Sequence, residues 1–322
     1  MDLNKLVEHH KRQVNRKAWH NLRDFSEALF TSGQLKSVPM PVSPKLQVTA
    51  LCRRSLLNDG PALLFENING HDTPVLGNLL GHEKRILTAL ELESVRDLRK
   101  LGEELAFLRN PSLPNNRQSL LDSAPGFARL AHVTPRLLDG ADWQSNVLDG
   151  TQVDLESLPI STCWPDDAGP LITWGMVITR GPKKPRVNLA IYRLQLIGRN
   201  KLIMRWLPHR GGALDFKEFQ EANPGQPFPV SVVIGADPAT LLSAVTPIPD
   251  TLSEYQFAGL LRGRRSRVVE SSLTGLPIPG GAEFVLEGHI HPGEMATEGP
   301  FADHTGYYNS CADFPVFTVD RI

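Results

Sequence analysis

Apolar residues recur at helical spacing in three stretches of the first third of the chain. The positions of Leu22, Phe25 and Leu29 predict one helix that ends near Gly33. In all, helices are predicted over residues 20–35, 46–57 and 82–108. Short apolar runs bounded by turn residues predict strands over residues 61–65 and 74–78. Together these elements indicate an α/β module.

The pattern changes at about residue 153, where short runs rich in β-branched residues alternate with glycine and proline turns. Strands are predicted over residues 172–179, 189–197, 202–207, 230–234, 284–290 and 316–319. Asp237 and Pro238 have the residue types of a helix N-cap and first helical position. The second part of the chain is therefore predicted to be a barrel or a mixed sheet, with a helix over residues 237–245.

The length of 322 residues favours two domains. We place the boundaries at an N-terminal extension (1–19), an N-terminal α/β domain (20–135) and a second domain (136–322). A net charge of -1 argues against a nucleic-acid partner. The sequence contains neither a membrane-spanning apolar run nor a secretory signal, which predicts a cytoplasmic protein. Cys52, Cys163 and Cys311 lack metal-binding spacing, and we expect buried free thiols.

Polar residues inside the apolar, strand-like region are the candidates for chemistry. Asn188, His209 and Glu254 offer an amide, an imidazole and a carboxylate, a set that suits manganese or magnesium better than zinc. Arg193, Arg205 and Arg210 lie close together in sequence, and guanidinium groups match phosphates and carboxylates. Glycines 211 and 212 would let the backbone approach a phosphate. From spacing alone, an ordinary structural or solvated role is the favoured alternative for these groups.

The spacing of Asn188 and Arg193 raises a difficulty, because an odd separation in a regular strand directs two side chains to opposite faces. A bend or bulge is required if both serve one site. Glu298 and Asp303 flank a loop, and two carboxylates near a bound anion can separate in pKa, so that one acts as a proton donor.

Two further groups are predicted to lie at the surface. His289 and His291 have His-x-His spacing, and we place them at a strand end. Residues 262–267 form a basic run, predicted to be a solvated turn with a weak attraction to anionic lipid.

Several segments together resemble the UbiD-type decarboxylase family, and within it the polyprenyl-4-hydroxybenzoate decarboxylases of ubiquinone synthesis. The likeness extends over nearly the whole chain from His20 onward. Its most specific segments are residues 162–168, 170–175, 191–193, 200–206, 209–213, 249–255, 298–300 and 303–308. The resemblance implies an α+β protein, in which the N-terminal α/β domain is followed by a split β-barrel that binds flavin.

The resemblance also implies cofactors and residue roles. The expected cofactors are prenylated FMN, held through a divalent metal such as manganese, and potassium nearby. Asn188, His209 and Glu254 match the metal ligands. The matching flavin-binding residues are Ile191, Tyr192, Arg193, Arg205, Trp206, Leu207, Arg210 and Gly211. Arg193, Glu298 and Asp303 match the catalytic group, with Asp303 as the proton donor.

The implied activity is non-oxidative decarboxylation of 4-hydroxy-3-polyprenylbenzoate to a 2-polyprenylphenol. The alternatives are decarboxylation of another aromatic or heteroaromatic acid, and a flavin-binding or flavin-reductase-like protein without lyase activity. The expected partners are a flavin prenyltransferase that supplies the cofactor and further copies of the chain, six in longer relatives. A polyprenyl substrate implies peripheral contact with the inner face of the cell membrane. Relatives continue into a C-terminal domain that this sequence is expected to lack, and Ala302 replaces their usual glycine.

Overall fold

A computed structural model describes residues 19–109, 128–249, 252–303 and 305–322. The predicted extension over residues 1–19 lies outside these ranges except for Trp19. The described chain combines a small N-terminal α/β unit, a closed six-stranded barrel and a second three-stranded sheet. The fold class expected from the resemblance is confirmed.

The N-terminal unit contains three short strands covered by helices. In chain order its elements are α1 (Leu22–Thr31), β1 (Leu35–Val38), α2 (Gln47–Leu57), β2 (Ala62–Phe65), β3 (Val75–Gly77), α3 (Glu83–Ala89) and α4 (Val95–Arg109). Strand β1 pairs with β2 in parallel, and β3 pairs with β2 in the antiparallel direction. Phe25 and Leu29 of α1 are fully buried, as their helical spacing predicts.

The prediction of one helix over residues 82–108 is wrong, because the chain breaks between α3 and α4. Glu91 adopts a positive φ of 55°, which ends the first helix. The Ser94 hydroxyl then accepts a hydrogen bond from the backbone N–H of Asp97, at 3.3 Å, and begins the second helix. The Ser-x-x-Asp spacing was present in the sequence, but the apolar periodicity continues across the break.

The second part of the chain supplies all strands of the barrel. Its elements are β4 (Arg136–Leu137), β5 (Leu171–Thr179), β6 (Asn188–Gly198), β7 (Lys201–Met204), α5 (Gly211–Ala222), β8 (Phe228–Ile234), α6 (Pro238–Ser243), α7 (Glu254–Arg262), β9 (Arg267–Glu270), β10 (Pro277–Pro279), β11 (Phe284–Glu298) and β12 (Ala312–Arg321). The barrel closes in the order β11-β12-β7-β6-β5-β8, and a separate sheet has the order β10-β9-β4. A barrel leaves no open edge for unwanted strand pairing.

Two apolar layers hold the barrel together, one on each side of its wall. The interior is filled from all six strands by residues such as Val177, Leu194 and Val232. Outside the wall, Met176 and Leu189 pack against Leu241 of α6 and neighbouring residues of β9 and β10. Alternate residues of each strand therefore serve different cores, which explains the continuous apolar runs in the sequence.

The barrel strands differ from the prediction at their ends. Strand β7 stops at Met204 rather than at residue 207, because the chain turns sharply, with the Trp206 N–H bonded to the Met204 carbonyl at 2.8 Å. Strands β11 and β12 are longer than predicted, since their outer halves carry polar residues that the apolar pattern does not detect. Asp237 caps α6 through the N–H groups of Ala239 and Thr240, each at 3.1 Å, as predicted.

Candidate active site

A buried carboxylate held by two guanidinium groups lies at the end of β11. Glu298 is fully buried, and Arg193 of β6 binds it through two bonds, Nε to Oε1 at 2.6 Å and Nη2 to Oε2 at 2.9 Å. Arg205 donates from Nη1 to Oε2 at 3.0 Å. A carboxylate is buried at tolerable cost only with such partners. Two cations on one anion leave a net positive charge, which favours an additional anion.

Aromatic rings support both guanidinium groups. The guanidinium carbon of Arg193 lies 5.4 Å from the ring centroid of Phe301, and that of Arg205 lies 5.4 Å from the ring of Phe314. Both rings are buried. Contacts of this kind attract the cation and restrict its movement, so the two arginines are held in position before any ligand arrives.

Asp303 is connected to this cluster through Asn309. Arg205 donates from Nη2 to Asn309 Oδ1 at 3.2 Å, and Asn309 Nδ2 lies 3.4 Å from Asp303 Oδ2. The other carboxylate oxygen, Oδ1, accepts from the backbone N–H of Thr305 at 2.8 Å. The structure thus brings together Arg193, Glu298 and Asp303, the three residues predicted to be catalytic. It adds Arg205 and Asn309 to the same hydrogen-bonded chain.

The loop that carries Asp303 is tied to the rest of the barrel. Gly299 has a φ of 93°, which requires glycine, and its N–H donates to Gln195 Oε1 at 2.9 Å. The N–H of Ala302 donates to Asp167 Oδ1 at 3.1 Å. The Asp167 side chain also accepts from the backbone N–H of Trp164, at 2.9 Å. Asp167 therefore joins the segment before β5 to the loop after β11. The backbone of Ala302 takes part in this connection, so alanine fits at the position where relatives usually have glycine.

A second group of predicted residues gathers at the start of β6. Asn188 is the first residue of that strand and is buried. Glu254, the first residue of α7, is also buried, and its Oε2 accepts from the N–H of Leu189 at 2.9 Å. Burial raises the pKa of the Glu254 carboxyl. Because a nearby cation would favour the ionised form of such a group, this environment suits a metal ligand.

The start of α5 lies against the Asn188 side chain. A Cβ atom added to Gly211 would lie 2.2 Å from Asn188 Oδ1, so only glycine fits there. His209 is exposed in the preceding turn, and Arg210 is the N-cap of α5 but makes no side-chain cap bond. The N–H of Gly212 donates to the Tyr192 hydroxyl at 3.0 Å, and the positive end of the helix dipole makes this terminus attractive to an anion.

Three of the remaining residues predicted to bind flavin, Ile191, Trp206 and Leu207, pack against other parts of the protein or lie in a turn. The Trp206 ring is buried in the barrel core with Tyr192, at 6.2 Å between ring centroids. Its indole nitrogen has no hydrogen-bond partner among the described residues. Ile191 is half-buried against the outer layer, and Leu207 is half-buried in the turn after β7. The Trp206 ring thus belongs to the barrel core, where its backbone N–H is already bonded to the Met204 carbonyl.

Asn188, Glu254 and His209 carry the donor types that bind a hard divalent cation. In the described parts of the chain, no group of three His, Cys, Asp or Glu residues is placed to hold a metal. A cation site here therefore depends on the amide oxygen of Asn188, together with Glu254 and His209. Amide and carboxylate oxygens with one imidazole suit manganese or magnesium.

The expected bend in β6 between Asn188 and Arg193 is not found. Asn188 and Tyr192 lie on the interior side of the strand, and Leu189 lies on the outer side. The irregularity is instead a β-bulge in β5. The two residues between Ile172 and Gly175 lie opposite a single residue of β6, Arg193. The metal-ligand candidates and the arginine–glutamate cluster are consequently two separate groups along one strand.

The predicted position of His289 and His291 at a strand end is wrong, because β11 continues to Glu298. The two imidazoles contact each other, with 3.0 Å between the Nε2 atoms, and His289 Nδ1 lies 2.6 Å from Asp320 Oδ2. His289 and Asp320 also line a cavity of about 450 Å³ beside α5. None of the predicted site residues lines this cavity.

Residue patterns alone missed several members of these groups. Gln195 lies two residues after Arg193, so strand alternation could have placed both on the same face. Asn309 and Asp215 gave no such signal, since neither the loop contact nor helix α5 was predicted.

Two family models match this chain. The model of the 3-octaprenyl-4-hydroxybenzoate carboxy-lyase Rift-related domain matches residues 136–322. The model of the N-terminal domain of the same carboxy-lyase matches residues 26–105. None of the helices in the described parts of the chain has the length and apolar content needed to cross a lipid bilayer.

Solved structures share this architecture. An evolved dimeric form of the UbiD-class enzyme HmfF from Pelotomaculum thermopropionicum, in complex with prFMN, is 30% identical with a TM-score of 0.79. The match covers 94% of this chain and 64% of that chain. The closed form of vanillic acid decarboxylase from Sedimentibacter hydroxybenzoicus is 27% identical with a TM-score of 0.83, covering 95% and 62%.

A third structure shares the fold at lower identity. The apo form of 3,4-dihydroxybenzoic acid decarboxylase from Klebsiella pneumoniae is 23% identical with a TM-score of 0.76, covering 94% of this chain and 62% of that chain. This chain therefore spans less than two thirds of the length of each of these three structures. Since the larger family model matches more than half of its residues, the protein belongs to the UbiD family of decarboxylases.

Proposed function

We propose that this chain carries the active site of a prenylated-FMN-dependent carboxy-lyase. The proposed reaction converts 4-hydroxy-3-polyprenylbenzoate to a 2-polyprenylphenol and carbon dioxide, as in ubiquinone synthesis. The observation that carries this proposal is the buried Glu298 carboxylate, held by Arg193 and Arg205 and connected through Asn309 to Asp303. A protein that only bound flavin would not need this arrangement.

The proposed cofactor site uses the group at the start of β6. Asn188, His209 and Glu254 would hold a divalent cation, with manganese as the expected metal and potassium nearby. Arg210 and Gly211, at the start of α5, would hold the phosphate. When bound, prenylated FMN supplies the electron sink that amino-acid side chains lack.

The separation of the two groups suits an elongated ligand. The five steps of extended strand from Asn188 to Arg193 span roughly 16 Å at about 3.3 Å per residue. A mononucleotide could thus have its phosphate near the first residue and its ring system near the second. Asn188 and Arg193 lie on opposite faces of β6, but Asn188 is the first residue of the strand, so such a ligand would pass around the strand end and no bend within β6 would be needed.

The arginines would receive the carboxylate of the substrate. Arg193 and Arg205 together exceed the charge of Glu298 by one, and their side chains are only 16% and 20% exposed. In a poorly hydrated site a surplus cation attracts a substrate anion more strongly than it does in water. Binding through parallel N–H groups also orients the anion.

Asp303 would supply the proton that replaces carbon dioxide. Loss of carbon dioxide leaves an electron pair on the ring carbon, and the protonated carboxyl of Asp303 would transfer its proton to that carbon. Solvent would then return a proton to Asp303, which is half-buried at the edge of its loop. The turn formed with Thr305 holds the acid in place between the two steps.

The first test is Asp303→Asn in protein co-produced with a flavin prenyltransferase. We expect loss of carbon dioxide release, by at least about 100-fold as for other general acids, with the flavin absorption spectrum retained. The matched control is Asp313→Asn, since Asp313 accepts from Thr297 on the surface and should be dispensable. Wild-type turnover in the Asp303 variant would remove this residue from the mechanism.

A panel of substrates tests the reaction class. Vanillic acid decarboxylase from Sedimentibacter hydroxybenzoicus is 27% identical, which favours decarboxylation of a smaller phenolic acid as the second candidate. The panel contains a short-chain prenylated 4-hydroxybenzoate, vanillate and a heteroaromatic acid. Preference for the prenylated acid supports the first proposal, and preference for an unprenylated acid supports the second. Oxidation of a nicotinamide cofactor without carbon dioxide release would instead indicate a flavin reductase.

The proposed substrate implies contact with the membrane, and the family resemblance implies assembly of several copies of the chain. A polyprenyl tail partitions into lipid, so the chain would contact the cytoplasmic face of the membrane peripherally. It would also form homo-oligomers. Co-sedimentation with vesicles and mass measurement in solution test these two proposals separately.

A further inference from the structure

We propose that Thr179 and Asp215 are positioning residues for the cation site. Together they fix the side-chain amide of Asn188 so that its oxygen, rather than its nitrogen, faces the start of α5. The inference rests on the proposed function, because it assigns a purpose to this orientation only if a cation binds there. Both residues are nine-tenths or more buried and make no contact with the arginine–glutamate cluster in the described hydrogen bonds.

Asp215 lies in the second turn of α5. This residue is 1% exposed, and its Oδ1 forms an ion pair with the Lys184 ammonium at 3.1 Å. Its Oδ2 lies 2.8 Å from the Thr179 hydroxyl oxygen. An ionised carboxylate only accepts hydrogen bonds, so the hydroxyl hydrogen of Thr179 must point toward Asp215.

The direction of that bond determines the role of the hydroxyl oxygen. Having given its hydrogen to Asp215, Thr179 Oγ1 can only accept from another neighbour. Asn188 provides the donor, with Nδ2 at 3.2 Å from Thr179 Oγ1. On the interior side of the same strand, the Tyr192 hydroxyl accepts a hydrogen bond from the backbone N–H of Gly212 at 3.0 Å. Such a network settles which end of an amide is oxygen, a choice that the shape of the group alone leaves open.

The opposite end of the amide faces the proposed ligand. Asn188 Oδ1 lies so close to Gly211 that a Cβ there would be 2.2 Å away. A rotated amide would present two N–H groups to a cation, and these repel it. Orientation in advance by Thr179 therefore favours binding, in the way that outer residues orient the ligands of other metal sites.

A purely structural role is the competing explanation, since the same bonds attach α5 to β5. The affinity for Mn²⁺ separates the two explanations, because attachment of the helix by itself does not require a particular end of the Asn188 amide. The probe is Mn²⁺ alone, titrated into flavin-free protein and followed by its electron paramagnetic resonance signal. Thermal unfolding of each variant reports whether the fold is retained.

The decisive variants are Thr179→Val, which keeps the shape but removes the acceptor, and Thr179→Ser, which keeps the hydroxyl. We expect the Kd for Mn²⁺ to rise about 10- to 100-fold in the valine variant and to stay at the wild-type value in the serine variant. Repeating Thr179→Val in an Asn188→Ala background should give no further change, because Thr179 acts through Asn188.

Three results would count against these proposals, and they are distinguishable. Equal Kd values for Thr179→Val and the wild type overturn the positioning role. The positioning role is also overturned if Thr179→Val weakens Mn²⁺ binding by the same factor in the wild-type and the Asn188→Ala backgrounds. A wild-type protein that fails to bind Mn²⁺ instead contradicts the cation site of the proposed function itself, and with it the reason for the orientation.

Discussion

At the scale of single residues, burial decides which charges have consequences. Glu298 and Glu287 lie on the same strand, β11, and both are almost completely buried. Glu298 has two guanidinium partners. Glu287 accepts a hydrogen bond from Ser271 and has Arg321 only at 4.0 Å. The charge of Glu298 is therefore balanced by two cations, whereas the charge of Glu287 has little compensation for its burial.

Glu287 should make the stability of the protein depend on pH. Burial raises the pKa of this carboxyl, so the folded protein binds the proton more tightly than the unfolded chain does. As pH rises above about 4.3, where unfolded glutamate ionises, the folded state becomes progressively less stable until the raised pKa is passed. Glu287→Gln should therefore become more stable relative to the wild type over that interval, by up to about 1.4 kcal/mol per pH unit.

Urea unfolding of both proteins between pH 4 and pH 7 measures this difference. Glu270→Gln, at an exposed position of β9, is the matched control and should change the free energy of unfolding by less than about 0.5 kcal/mol throughout. A difference between Glu287→Gln and the wild type that stays constant with pH would contradict the explanation.

At the scale of secondary-structure elements, the entry into α2 contains a strained turn. Leu46 has φ 68° and ψ -38°, and the N–H of Gln47 bonds to the carbonyl of Lys45 at 2.9 Å. These values describe a γ-turn of the rare, strained kind. The N–H of Leu46 donates to the carbonyl of Thr162 at 2.8 Å, which attaches the turn to the segment before β5. Contact with the barrel thus holds this backbone in place.

The strain predicts an unusual order of stability at position 46. Leu46→Gly should be more stable than Leu46→Ala by about 1 kcal/mol, because glycine adopts positive φ without a steric cost. At Leu51, within the same helix, the order should be reversed, with glycine less stable than alanine by about 1 kcal/mol. Chemical denaturation of the four variants gives both comparisons, and the same order at the two positions would argue against strain at Leu46.

Apolar periodicity located most elements, but it located their ends less well. It predicted one helix where α3 and α4 are separate, since the break depends on Glu91 and Ser94 rather than on the apolar residues. It also ended β11 too early. The outer half of that strand pairs with β12, and this pairing uses the backbone and leaves no apolar pattern.

At the scale of the whole molecule, the N-terminal unit is attached to the barrel at several points. Arg23 of α1 forms an ion pair with Glu283, with 2.9 Å between Nη2 and Oε2. Arg129, which pairs with Glu104 of α4, donates to the carbonyl of Leu260 in α7 at 2.8 Å. The Leu46 turn provides a third connection. Each links elements distant in the sequence, so the two units support each other.

Reactivity of the three free cysteines should report on this assembly. The expectation of three buried thiols is wrong for Cys311, which is exposed, whereas Cys52 and Cys163 are half-buried. Burial raises the pKa of Cys52 to about 11 and also raises that of Cys163. Since the thiolate is the reactive form, Cys311 should react quickly with a thiol reagent at pH 8 and the other two slowly.

Counting modified thiols over time in the native protein tests this expectation, and denaturant should make all three reactive. Cys311→Ser serves as the control and should lose the fast phase only. Three fast thiols in the native protein would show that the N-terminal unit opens away from the barrel, since the Cys52 and Cys163 thiols lie near each other across that contact.

The sequence by itself determined the type of most elements, the change from an α/β unit to short strands, and the residue types able to bind a cation, an anion and a proton. These depend on periodicity and on side-chain chemistry, which are local properties. The family resemblance implied one catalytic group of Arg193, Glu298 and Asp303, but only the tertiary structure showed the contacts between the groups. It joined Arg193 to Glu298 across the barrel, added Arg205 and Asn309, and separated this cluster from Asn188. Such contacts arise from closure of the barrel, and spacing along the chain carries no information about them.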